Sequence, residues 1–129
     1  MANKEKRAVH RVPFISSIKL DIDRQTINSL LLNISLMGAL IDIENTDRIF
    51  LNKTCEIELN LGAGILLNLT GCVVRHNKRN HTIGVMWEQM DIDTAVHLKR
   101  LLELNLGDHQ LIEQDIEAMY EAHEKTQKN

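Results

Sequence analysis

Cys55-Glu56-Ile57-Glu58-Leu59-Asn60-Leu61 is the stretch that decides the fold class. Cys55, Ile57, Leu59 and Leu61 fall on one side of an extended chain and Glu56, Glu58 and Asn60 on the other, the period of a strand with one buried face. Downstream, Gly62-Ala63-Gly64 turns the chain into a second strand, Ile65 to Arg75, whose Gly71 is expected to mark a bulge or bend. The polar loop His76 to His81 then leads to a strand over Thr82 to Glu88. Upstream, Ala39 to Ile43 reads as a short strand, followed by a polar loop, Glu44 to Lys53, anchored by Phe50 and Leu51. Phe14 to Leu20 and Ile27 to Ile34 are rich in branched residues, and the polar Asp21 to Thr26 between them suits a hairpin connection. Six short antiparallel strands describe a small barrel or sandwich.

Beyond this β region the period changes to that of helices. Asp91 or Asp93 can cap a helix carrying Ile92, Ala95, Val96, Leu98, Leu101, Leu102 and Leu104, and Gly107 sits where a left-handed cap would end it. A second helix follows Asp108, with Leu111, Ile112, Ile116, Met119 and Tyr120 on its apolar face and Glu113, Asp115, Glu117, Glu121 and Glu124 around the other.

At 129 residues and 14.8 kDa, with 43% hydrophobic and 26% charged residues, the chain fits one folded domain. It divides into a flexible basic arm over 1–12, a β-barrel over 13–90 and a helical extension over 91–125. The formal net charge of −3 gives no overall attraction to nucleic acid or anionic lipid, so any anion site is local. No stretch is long and apolar enough to span a membrane and the first residues lack a leader's apolar core, so a cytoplasmic protein is expected. Cys55 and Cys72 are read as packing residues. A monomer is expected.

Two motifs carry chemistry. Arg7 and Arg11 stand four apart in an arm that also holds Lys4 and Lys6, and Val12-Pro13 pushes the chain from arm to strand. A guanidinium can grip a phosphate through paired donors, stack on a base, or bond guanine O6 and N7 side by side. At the exit of the second strand, Asn33-Ile34-Ser35-Leu36-Met37-Gly38 presents an amide and a hydroxyl at alternate positions before a glycine turn. Taken alone, this hexapeptide reads as a side-chain turn that stabilises its own backbone.

Arg7-Ala8-Val9-His10-Arg11 followed by Asn33-Ile34-Ser35-Leu36-Met37-Gly38 resembles the RxxxR and (D/N)xSxxG pair of PilZ domains, bacterial receptors for cyclic dimeric GMP. Gly71 to Arg75, Ile83-Gly84-Val85 and the run from Asp91 to Leu101 are also similar to that family, and His97 to Asp108 to its stand-alone members with a helical extension. The resemblance implies a six-stranded antiparallel PilZ-type barrel with a basic arm and two C-terminal helices. It implies cyclic dimeric GMP as the ligand, with Arg7 and Arg11 as the main contacts, Lys6 adding a phosphate contact and Val73 serving as an apolar platform under a base. Asn33 and Ser35 would meet a guanine edge, with Gly38 shaping the loop. Asn33 departs from the commoner aspartate, which affects affinity because an amide accepts only through its carbonyl.

The resulting expectation is a non-catalytic receptor that signals to an unidentified downstream protein. The arm, residues 1 to 11, is expected to be mobile when free, drawn loosely to the acidic second helix, and ordered by ligand. An adaptor of the same fold that binds its partner regardless of nucleotide is the alternative. No resident cofactor is expected, and the spacing of Cys72, His76 and His81 matches no common metal site. No GxSxG or HExxH string or serine triad points to an enzyme. Phe14, Phe50, Trp87 and Tyr120 are too few to serve both a core and a base-stacking surface, so single-stranded nucleic acid is not an expected partner and all four are assigned to the core.

Overall fold

A computed structural model describes residues 9–44 and 48–127 of the chain. The elements run β1 (Val12–Ile22), β2 (Gln25–Ile34), β3 (Gly38–Asp42), β4 (Thr54–Gly62), β5 (Ile65–Asn77), β6 (Thr82–Trp87), α1 (Ile92–Leu106) and α2 (His109–Gln127). All strand pairs are antiparallel, and the order β1-β2-β3-β6-β5-β4 closes where β1 meets β4. A six-stranded barrel followed by two helices is therefore the observed fold, and the sandwich is excluded. Closure is confined to one stretch: only Lys19 to Ile22 of β1 pair with β4, against Cys55 to Glu58.

The hairpin between β1 and β2 is tighter than the polar run suggested. Asp21 pairs with Thr26 and Ile22 with Gln25, leaving Asp23 and Arg24 as the turn, at φ of 55° and 67°. Two left-handed residues match the twist of the flanking strands, so a two-residue turn suffices although neither is Gly or Asn. Thr26 Oγ1 donates to Asp21 Oδ1 at 2.6 Å, and Arg48 pairs with Asp23, tying the loop between β3 and β4 to this turn.

Inside the barrel, Leu20, Ile22, Leu31, Ile34, Ile41, Leu59 and Leu67 are fully buried, joined by Leu98 and Leu102 from α1 and Ile112 from α2. Asp91 caps α1 by accepting from Thr94 N at 2.7 Å, which holds its carboxyl below the usual carboxylate range, and Gly107 ends the helix at φ 74°. The helix faces differ in part from the sequence pattern. Ile92, Val96 and Leu104 are exposed on α1, and Tyr120 on α2 is 67% exposed instead of joining the core. Asp115, expected on the solvated acidic face, is buried. Leu51 is likewise exposed while Phe50 alone anchors its loop.

Gly71 does not mark a bulge; the irregularity in β5 lies between Val73 and Arg75. Gly71 is where β5 and β6 come close, since a Cβ there would lie 2.4 Å from Val85 Cγ1 and 2.8 Å from Met86 O. Beside it, Cys55 is buried and its thiol is pushed up to about 12 by desolvation and, secondarily, by the neighbouring Cys72. The thiolate is the nucleophile, so brief iodoacetamide treatment of the native protein at pH 8 is expected to spare Cys55. Half-buried Cys72 is expected to react first, and peptide mapping by mass spectrometry checks the order. Equal labelling of both would show that the barrel opens at this position.

Candidate functional site

The Asn33 to Gly38 segment is built by a bulge and a turn. Leu31 pairs with Ile41 and Asn33 with Leu40, so Leu32 is an extra residue in β2. The extra residue lets both Leu31 and Ile34 reach the core, three apart, and resets the alternation, with half-buried Asn33 and buried Ser35 on either side of Ile34. The β1 ladder slips at the same level, between Pro13 and Ser16.

Ser35 organises the turn that follows. Its Oγ accepts from Met37 N and Gly38 N, both at 3.1 Å, while its own N donates to Gly38 O at 2.8 Å. Trp87 holds the loop from outside, with Nε1 donating to Ser35 O at 3.1 Å and the backbone N to Met37 O at 2.8 Å. Sequence reading took Trp87 for a packing residue and missed this clamp, whose only local signal was an indole N–H needing an acceptor. Ser35 itself is buried, and its hydroxyl is occupied within the loop. Gly38 is required by close approach and not by a left-handed backbone: a Cβ there would sit 1.9 Å from Val85 O.

The arm reaches this loop through β1. Val12 pairs with Ile34 and Pro13 with Asn33, so Arg11 stands directly ahead of the first pair that joins β1 to the end of β2 carrying Asn33. Arg11 is exposed and has no ion pair among the described residues. Asn33 Oδ1 is screened from solvent and has no hydrogen-bond partner among the described residues. A shielded, unpaired acceptor costs about 1–3 kcal/mol, a cost removed when a donor is brought to it. Lys6 and Arg7 lie outside the described residues. The structure thus joins Ser35 and Gly38 in one turn directly after Asn33, with Arg11 leading into the strand that pairs with Asn33 and Ile34.

Val73 does not belong to this group as a surface platform. Its side chain is fully buried inside the barrel, and the exposed neighbour on β5 is Val74. In an apolar pair of adjacent strand residues, sequence alone does not say which member faces inward.

The family model for the PilZ domain matches residues 5–104, most of the chain. The chain belongs to the PilZ domain family. Solved structures with the same barrel include the PilZ domain of CeSA from a cellulose-synthesizing bacterium, with a TM-score of 0.59 and 16% identity over 76% of this chain and 96% of that one. The PilZ domain of YcgR from Escherichia coli, solved with c-di-GMP, matches with a TM-score of 0.61 and 14% identity, covering 92% of this PilZ chain and 98% of that one. The Bacillus subtilis inhibitor of motility, MotI, matches with a TM-score of 0.61 and 13% identity over 76% of this chain and 52% of its own. At these identities the likeness is one of fold. No helix among the described residues of this PilZ domain is long and apolar enough to cross a membrane.

Proposed function

We propose that this PilZ domain is a receptor for cyclic dimeric GMP that passes its ligand state to a partner protein. The observation that carries this reading is the pairing of Val12 with Ile34 and Pro13 with Asn33, which joins the strand that Arg11 leads into to the strand end that carries Asn33. The ligand presents two phosphates, two guanine Hoogsteen edges and flat purine faces, and a guanidinium meets charge, edge and face with one group. Arg11 and Arg7 take these contacts, with Lys6 adding a phosphate contact. Asn33 supplies the acceptor for guanine N–H donors, while Ser35, Gly38 and Trp87 hold the loop that presents it. The YcgR domain solved with c-di-GMP supports this ligand. Nothing in the arrangement calls for a nucleophile or general base, so the reading is of a binding domain.

Titration calorimetry with cyclic dimeric GMP tests the reading directly, giving affinity and the number of molecules bound. Saturable binding supports it. A folded protein that gives no heat and no chemical-shift change would overturn it in favour of the nucleotide-independent adaptor. Asn33→Asp sharpens the assignment. A carboxylate is a stronger acceptor than an amide for guanine N1–H and N2–H, so the variant should bind the nucleotide several-fold more tightly. Weaker binding would mean that the Asn33 NH2 donates to the ligand instead.

A further inference from the structure

We infer that Asp115 of α2 is a positioning residue for the arginine arm, acting through His10; this rests on the receptor reading above. Asp115 is 2% exposed, an uncommon setting for a carboxylate on a helix otherwise lined with solvated acids. Its partners come from the other end of the chain. His10 N donates to Asp115 Oδ2 at 2.7 Å, and His10 Nδ1 lies 2.9 Å from Oδ1 and 3.1 Å from Oδ2. Both carboxylate oxygens are thereby engaged by one residue, 105 positions away in sequence.

His10 sits inside the RxxxR motif, between Arg7 and Arg11. Val9 is buried beside it, so Val9 and His10 are held by packing and by a carboxylate acceptor, while Arg11 stays exposed just ahead of β1. Where the arm was expected to be only loosely drawn to α2, Val9 is buried and His10 is hydrogen-bonded to Asp115, a specific contact with that helix; residues 1–8 lie outside the described residues. The contact also uses His10 and not an arginine, so it leaves the Arg11 guanidinium available to an anion. A carboxylate that fixes the backbone N–H next to Arg11 removes conformations the arm would otherwise lose on closing over a ligand. Asp115 therefore favours nucleotide binding without touching the nucleotide. By linkage, bound nucleotide must stabilise the docking of α2 by the same factor.

The test is a double-mutant cycle on cyclic dimeric GMP affinity with His10→Ala, Asp115→Ala and the double variant, alongside Asp115→Asn and a core control, Leu102→Val. Asp115→Ala is expected to weaken binding about five- to twenty-fold, within the usual range of coupling between sites. His10→Ala should weaken it less, since its backbone N–H remains, and should have no effect once Asp115 is gone. Asp115→Asn, which keeps an acceptor for that N–H, should recover part of the loss. Leu102→Val should lower the melting temperature without changing affinity, separating positioning from general loosening. Because the His10 side chain is 45% exposed, His10→Ala is expected to fold even if Asp115→Ala does not. Hydrogen exchange should show α2 amides slowed by nucleotide in the parent and not in Asp115→Ala. Parent-like affinity in His10→Ala and Asp115→Asn, or losses that simply add, would overturn the inference while leaving the receptor intact. A parent protein that does not bind the nucleotide would overturn both.

Discussion

Replacing Arg11 by Ala is expected to weaken cyclic dimeric GMP binding by about 1.5–3 kcal/mol, the range for hydrogen bonds to charged groups. That is roughly a ten- to hundred-fold rise in Kd. The melting temperature should hardly move, because Arg11 is exposed and forms no ion pair among the described residues. Arg7→Ala is expected to behave alike. The separation of affinity from stability is the informative part: a surface residue that supported the fold would lower both. Calorimetry and thermal melts on the same samples measure it, and parent-like affinity in both variants would place the ligand site elsewhere on the domain.

Gly38→Ala is expected to do the opposite, damaging the fold first. The added methyl would lie 1.9 Å from Val85 O and 3.2 Å from Met86 Cα, both backbone atoms of β6. Neither can turn aside as a side chain could, so β3 must move away from β6 and disturb the ladder that pairs Gly38 with Met86 and Ala39 with Val85. Overpacking of this kind costs about 3 kcal/mol, lowering the melting temperature by roughly 10 °C for a chain of this size. Gly62→Ala is the matched control. It meets no atom within 4 Å but sits at φ 86°, so its strain is that of one left-handed residue, about 1 kcal/mol. Equal losses in urea denaturation of the two variants would show that β6 yields to the methyl.

The barrel was legible in sequence wherever burial is one-sided. Cys55, Ile57 and Leu59 are buried and Glu56 and Asn60 exposed because β4 has one face inward, which is the condition under which a two-residue period appears. Legibility failed where the period is reset or both faces are apolar. Leu30-Leu31-Leu32 hides the bulge that places Asn33, and Val73-Val74 gives no sign of which residue is inside. The two motifs were readable as strings, but the task of Ser35 was not. A hydroxyl can serve a ligand or its own turn, and only the positions of Met37 N and Gly38 N decide. Asp115 was misread for a different reason: flanked by Glu113 and Glu117, it looks solvated, and the partner that buries it lies on the first strand's approach. Local pattern carries local contacts, and this one is among the longest-range in the chain.

The short ladder between β1 and β4 bears on how the molecule behaves among its own copies. Val12 to Ile18 have β2 on one side and no strand of the described residues on the other, an open rim where β1 runs ahead of its short ladder with β4. Such a rim is a template on which a second chain can add a strand and begin a fibre. Here the template is spoiled twice. Pro13 has no N–H to offer, and the slip between Pro13 and Ser16 breaks the regular spacing that an incoming strand would need. The irregularities at the Asn33 end of the barrel also discourage strand exchange between copies, so concentrating the protein need not turn its exposed Ile15 into a seed for aggregation.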